Sequence, residues 1–285
     1  EVIIPAMTYC STAFAVINAN LKPILADINY LEPTINLNEI KKKITNKTKV
    51  IMPVHLYGSV ANIMGIRKLI GRKKIYIIDD CAQAHGSKDL KGNKIGSISD
   101  ISTFSLYPGK NLGAYGDAGI ITTNNKKHYL KILKIRNLGA IKKFKHEEIG
   151  VNSRLDTIQA IILNEKIKNL SLLNQKRRSI ANYYNKHINN PKVKKMNYSK
   201  YCVYHQYVVL VKDKTNFSKY LEKKNIQFGY HYPKAIHELD VFKNIFSNIK
   251  FPNSEMISKE GISIPIDPNL NLKEQKFITK TINEY

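Results

Sequence analysis

The sequence predicts an α/β protein: a large domain on a mostly parallel sheet, followed by a smaller C-terminal α+β domain. Three observations carry this reading. Short apolar runs alternate with helical stretches through the first half of the 285 residues. A long helical pattern begins at Ser153, and after Pro191 the pattern of strands and helices changes. Strands separated by helices of this length argue a parallel sheet covered on both faces. The division expected is 1–152, 153–190 and 191–285.

The elements follow in order. Val2–Ile4 is an apolar run, and Ser11 and Thr12 are placed to cap a short helix through Asn18. Lys22–Asp27 reads as a strand, Asn38–Ile44 as a helix and Lys49–His55 as a buried strand. Ile63–Gly71 is a helix, Lys74–Asp79 a strand ending in acids, and Asp100–Leu106 and Gly119–Thr123 are further strands. Ser153 to about His187 reads as one long helix, with Asn152 or Ser153 as its cap. In the last part Tyr204–Lys212 is a strand, Asn216–Lys224 a helix, Ile262–Ile264 a short strand and Leu272–Asn283 a closing helix. In parallel sheets chemistry sits at the carboxyl ends of the strands, where His55, Asp79, Asp80 and Ser105 fall.

Composition narrows the class. The net charge of +24 comes from 46 basic and 22 acidic residues, yet only six of the basic ones are Arg. Nucleic-acid readers favour Arg for bidentate contacts, and no matching motif accompanies the charge, so a nucleic-acid partner is not expected. Residues 126–195 hold 18 basic and four acidic side chains, a surface suited to attracting anionic small substrates and expected to lie partly beside the site's mouth. No window reaches the ~18 apolar residues of a spanning helix, so no membrane is expected. The opening EVIIPAMTYC has no basic n-region and reads as a chain entered in mid-strand. Cys10, Cys81 and Cys202 are odd in number and widely spaced, which fits a reducing, cytoplasmic setting and no cysteine-based metal site.

Two stretches carry chemistry. In Ser105–Gly119 (SLYPGKNLGAYGDAG) Lys110 sits in a Gly-rich turn after a buried strand. It is no Walker loop, since Asn111 stands where Ser or Thr is required. Burial lowers a lysine's pKa and makes it an amine nucleophile able to form a Schiff base; the plainer reading is one solvated lysine among forty. In Ile77–Gly86 (IIDDCAQAHG) two acids end a strand. Asp79, Asp80 and His85 could be read as metal ligands, but their spacing is no recognised pattern, and no metal is expected. A carboxylate facing a pyridine nitrogen fits better alongside Lys110.

With these segments, EVIIPAMTY, KPILADI, TKVIMPVHLYG, IIDDCAQAHGS, GVNSRLDTIQA, HYPKAIH and SIPI run in order along nearly the whole chain. Together they resemble the DegT/StrS-type sugar-nucleotide aminotransferases, which use pyridoxal 5'-phosphate and have the aspartate-aminotransferase fold. The resemblance makes 1–152 the cofactor-binding domain. It implies that Lys110 holds the cofactor and shuttles the proton, that Asp80 faces the pyridine nitrogen, with Asp79 in place of the usual Glu, and that Gln83 bonds the ring hydroxyl. It implies Ser105 on the phosphate, Tyr9 stacked on the ring, and Asn152 reaching the neighbouring subunit's phosphate in a homodimer with a shared site. His231, Tyr232 and His237 would approach the sugar nucleotide. The reaction implied moves an amino group, from glutamate, to a keto group of a nucleotide-linked sugar in amino-sugar and polysaccharide synthesis. Family members carry a further segment before EVIIPA with a phosphate-holding turn; without it the phosphate cup is expected to lack one wall and apolar sheet surface to be uncovered. A dehydratase of the same fold would carry His in place of Lys110. An inactive, regulatory relative is the alternative from another class.

Overall fold

A computed structural model describes all 285 residues. Its main sheet has six strands: β1 (Val2–Pro5), β2 (Pro23–Ala26), β3 (Val50–Ile51), β4 (Tyr76–Asp80), β5 (Ile101–Ser105) and β6 (Gly119–Thr122). Their order is β2-β1-β3-β4-β5-β6; all neighbours are parallel except β5 and β6. The connecting helices are α1 (Cys10–Asn18), α2 (Leu37–Lys43) and α3 (Ile63–Ile70). Ile3, Ile51 and Ile77 are fully buried, in one apolar cluster with Ile40, Ile63 and Ile66 from the covering helices. Truncating one such isoleucine to alanine costs about 2–5 kcal/mol.

Several boundaries differ from the sequence reading for identifiable reasons. The strand expected over Lys49–His55 shortens to Val50–Ile51, since Pro53 has no N–H for a ladder. Pro53 still accepts from the Asp80 N–H, and the His55 N–H donates to the Asp80 carbonyl, so the chain follows β4 to its end. Helix α1 begins one residue before its expected cap; Tyr9 holds the cap position with no side-chain bond, leaving Thr12 inside the helix. The single long helix expected from Ser153 is two, α5 (Thr157–Ile167) and α6 (Leu170–His187), after α4 (Lys126–Ile135), which the reading left out. The break at Lys168–Asn169 lets α6 bring the buried Asn174 to the His85 carbonyl. A short hairpin, β7 (Ala140–Lys142) and β8 (Lys145–His146), separates α4 from α5.

A second, antiparallel sheet has the order β11-β10-β9, from β9 (Val193–Lys195), β10 (Tyr207–Val211) and β11 (Gly261–Ile264). With α6, α7 (Lys214–Lys223) and α9 (Leu272–Asn283) it encloses an 18-residue core that includes Tyr184, Tyr207 and Phe217. β10 starts three residues later than expected because Tyr204 takes a left-handed φ of 44°, which a strand does not tolerate. The segment 204–206 is therefore a loop aimed at the first sheet. Ile236, Phe242, Phe246 and Phe251 pack against β1 and α1 in a further core cluster, followed by α8 (Pro252–Glu260). No helix is long and apolar enough to cross a membrane.

Candidate active site

The carboxyl ends of β1, β4 and β5 meet the 204–206 loop and the 231–232 segment around a cavity of about 630 Å³. Tyr9, Asp80, Gln83, Ser105, Lys110, His231 and Tyr232 all line it. Seven residues singled out from the sequence thus converge from four separate segments. Two do not. His237 is held elsewhere by Glu255, with Nε2 and Oε1 3.2 Å apart, and packs edge-on against Phe251. Asn152 is exposed, and its Oδ1 accepts from Arg154 Nε at 3.1 Å.

Each side chain is held by its neighbours. Lys110 follows β5 in a turn where its N–H donates to the Tyr107 carbonyl. Gly113 closes that turn; a Cβ there would come within 2.3 Å of the Pro108 carbonyl oxygen. Burial lowers the Lys110 pKa, and the Asp80 carboxylate only partly opposes this. Asp80 accepts from the Thr12 hydroxyl at 2.9 Å and the Ala82 N–H at 3.0 Å, so both oxygens are fixed. Thr12, read from sequence as a cap, instead orients this carboxylate.

Asp79 points to the opposite face of β4, as alternation requires. It is fully buried, with Oδ2 3.1 Å from His55 Nε2. Burial pushes its carboxyl up, but the His55 bond, with Ser102 and Ser99, outweighs this and holds it below the ordinary value. His55 Nδ1 accepts the Ala61 N–H at 3.0 Å, which places the ring proton on Nε2. The ligand atoms that come together are those of His55, Asp79 and Cys81, not of Asp79, Asp80 and His85. With both His55 nitrogens engaged, that cluster has no imidazole lone pair for a metal.

Gln83 is clamped: its Oε1 accepts the Tyr57 N–H at 2.6 Å, and its Nε2 donates to the Tyr232 hydroxyl at 2.9 Å. Gly58 allows this clamp, since its φ is +89° and a Cβ would press on the Gln83 carbonyl and Val203. Tyr57 also reaches the His231 carbonyl through its hydroxyl. The Tyr9 and Tyr232 rings lie 5.3 Å apart. Ser105 Oγ accepts the Tyr107 N–H at 3.3 Å, leaving its own O–H free to donate.

Sequence reasoning missed His205 and Gln206, which line the cavity, and Asn111, which bonds His205. Nothing in their spacing marks them; they arrive through tertiary packing. Three histidines near Lys110 (His85, His205 and His231) are all held neutral, by burial first and then by the lysine's charge. His85 is lowered to about 4, by burial first, with the Lys110 charge acting in the same direction. The basic region 126–195 contributes no lining residue; Lys166 reaches the Lys110 loop by donating to the Gly113 carbonyl at 2.7 Å.

The profile of the DegT/DnrJ/EryC1/StrS aminotransferase family matches residues 1–283. The chain belongs to this family. It is 39% identical over its whole length to a protein of Aneurinibacillus thermoaerophilus, covering 78% of it, named dTDP-3-amino-3,6-dideoxy-alpha-D-galactopyranose transaminase. It is 33% identical, again over its whole length and 78% of the relative, to a Geobacillus stearothermophilus protein named pleiotropic regulatory protein. Among solved structures, DesV of S. venezuelae in complex with a ketimine intermediate superposes with a TM-score of 0.97 at 30% identity, over all of this chain and 77% of that one. NtdA of Bacillus subtilis, with bound PMP, gives 0.92 at 30% identity, over all of this chain and 67% of that one. The fold is that of the pyridoxal-phosphate sugar aminotransferases, and pyridoxal 5'-phosphate is the cofactor of this aminotransferase.

Proposed function

We propose that the cavity around Lys110 transfers an amino group from glutamate to a keto carbon of a nucleotide-linked sugar. The observation that carries this is the convergence of Lys110, Asp80, Gln83 and Ser105 on one cavity at the carboxyl ends of the sheet. The set fits the cofactor. It offers an amine whose pKa burial lowers, a fixed carboxylate, a free amide hydrogen and a free hydroxyl, beside the half-exposed ring of Tyr9.

Pyridoxal phosphate, when bound, supplies a ring that withdraws electrons from the substrate carbon carrying nitrogen. Asp80 holds the ring-nitrogen proton through a carboxylate that Thr12 and Ala82 keep in place. Gln83 has spent its oxygen on Tyr57 and one amide hydrogen on Tyr232, so its second hydrogen is the one available to the ring hydroxyl. Ser105 donates its free O–H to a phosphate oxygen. Lys110 would be the nucleophilic amine that holds the cofactor, and its neutral Nζ would serve as the base that moves the proton off the substrate carbon. The lowered pKa favours that neutral form. His231 and Tyr232 border the space for the sugar.

In the same reading the active unit is a cytoplasmic homodimer, with Asn152 reaching the partner's phosphate. Its support is the exposure of Asn152 together with the large exposed apolar side chains that flank it in sequence, Ile149, Val151 and Ile158, which a second subunit would cover. The product would feed surface polysaccharide or a glycosylated metabolite. The regulatory name of one relative favours the alternative of a non-enzymatic protein, but that reading leaves the lysine and its fixed carboxylate unexplained. The test is to incubate the full-length, cofactor-loaded protein with L-glutamate and a panel of nucleotide-linked ketosugars. Mass spectrometry should find an aminated sugar with at least one of them; none across the panel would reject the proposal.

A further inference from the structure

We infer that His205 is a substrate-contact residue whose Nε2 accepts a hydrogen bond from the nucleotide sugar and not from the amino-acid donor. The inference rests on the transamination proposed above and adds a determinant of sugar recognition that the sequence did not suggest.

Asn111 stands next to Lys110 in the Gly-rich turn. Its amide nitrogen donates to Asn174 Oδ1 at 2.9 Å and to the Val203 carbonyl at 3.0 Å. Two carbonyl acceptors on that end fix which end is nitrogen, so the oxygen faces His205. Asn111 Oδ1 lies 3.2 Å from His205 Nδ1. An oxygen can only accept, so His205 carries its proton on Nδ1. Burial holds the ring neutral, and the charges of Lys110 and Arg177 act in the same direction. The remaining nitrogen, Nε2, is a bare lone pair. It has no protein partner, yet it is not among the sealed, unpartnered buried atoms. His205 lines the cavity, so this lone pair opens onto it. The ring is held from behind as well, since the His205 N–H donates to the Tyr57 carbonyl at 2.9 Å.

A preoriented lone pair selects its ligand. It cannot bind a carboxylate, whose oxygens are acceptors too, and it suits a hydroxyl or N–H donor. Glutamate presents two carboxylates beside the one amino group that reacts. A sugar presents hydroxyls next to the reacting carbon. An unfilled acceptor in a buried site penalises a ligand lacking the matching donor, which makes such a group a discriminator.

Both substrates can be read by one signal. L-Glutamate and a dTDP-linked 3-amino-3,6-dideoxygalactose each convert the pyridoxal form of the cofactor to the pyridoxamine form, with the same loss of absorbance. Two variants separate contact from scaffolding. In His205→Asn the amide nitrogen takes the place of Nδ1, so the bond to Asn111 survives and the cavity acceptor is lost. In His205→Gln the amide oxygen takes the place of Nε2, so the acceptor survives and the Asn111 bond is lost. In the full-length, cofactor-loaded protein, H205N should slow conversion by the amino-sugar nucleotide about tenfold or more while glutamate changes less than about threefold. H205Q should stay closer to wild type with the sugar. Equal slowing of both amines in H205N, or a sugar rate lower in H205Q than in H205N, would overturn the inference and make His205 a scaffold. A second readout needs no folded variant: in ¹⁵N-imidazole spectra of the wild type, the Nε2 signal should move on adding the amino-sugar nucleotide and stay still on adding dTDP alone. An unmoved signal also overturns the inference. If wild-type protein converts with neither amine, the transamination proposal falls, and this one with it.

Discussion

His85 makes the protein acid-sensitive in a way that one substitution should remove. Its ring is buried against Phe104, with centroids 5.4 Å apart, and neither nitrogen has a hydrogen-bond partner. Its pKa is lowered from 6.5 to about 4, by burial first, with the Lys110 charge adding to the shift. The unfolded chain takes up the proton near pH 6.5, whereas the folded protein resists until about pH 4. The unfolded state therefore binds more protons across that window, and stability falls as pH falls through it. The gap corresponds to about 3 kcal/mol when complete, of which about 2 kcal/mol is lost between pH 7 and pH 4.5. His85→Leu has no proton to take up and deletes two unsatisfied polar atoms, so at pH 7 it should be no less stable than wild type within about 1 kcal/mol. Urea unfolding of both proteins at pH 7 and pH 4.5 gives the difference of differences. Titrating groups not coupled to His85, such as His231 and Asp79, cancel in it. The variant should gain about 2 kcal/mol on wild type at the lower pH; a gain under about 0.5 kcal/mol would show that His85 is not held neutral by its surroundings.

Three further outcomes follow from the geometry. Asp80→Asn should lower amino transfer by about a hundredfold or more, because a charge fixed toward the ring is lost; Asp79→Asn should stay active while losing about 1–2 kcal/mol of stability in urea, because its partner is the buried His55, and the reverse pattern would mean that the wrong acid had been assigned to the cavity. Asn152→Ala and Lys110→Ala, each inactive as a homodimer, should regain part of the activity when mixed and exchanged, since one site in the mixed dimer is intact; no recovery would place Asn152 outside a shared site. Binding of duplex or single-stranded nucleic acid at near-physiological salt should be weak and without sequence preference, as expected of scattered lysines, and sub-micromolar selective binding would revive a nucleic-acid role.

The alternation of apolar runs and helices is enough to read the main sheet, because its parallel strands include short buried runs such as Val2–Pro5. The GKNLG turn and the paired acids were legible for the same local reason: their chemistry lies within one segment. What escaped the sequence depends on distant partners. Thr12 reads as a cap until Asp80, 68 residues away, takes its hydroxyl. His205 reads as a strand residue until the left-handed Tyr204 turns the chain toward Asn111. His237 sits in a segment that looks functional as a string, but Glu255 and Phe251 claim its ring. The sequence from Ser153 reads as one helix through Asn169 because nothing there forbids a helix as Pro would; the interruption at Lys168–Asn169 shows only in the folded chain, where Asn174 of α6 donates to the His85 carbonyl.

The claim on which the rest depends is that Lys110 is the amine that holds the cofactor. Borohydride reduction of the full-length, cofactor-loaded protein, followed by proteolysis and mass spectrometry, tests it directly. The reduced cofactor should appear on one peptide, the one containing Lys110. Label on any other lysine, or labelling undiminished in Lys110→Ala, would contradict it.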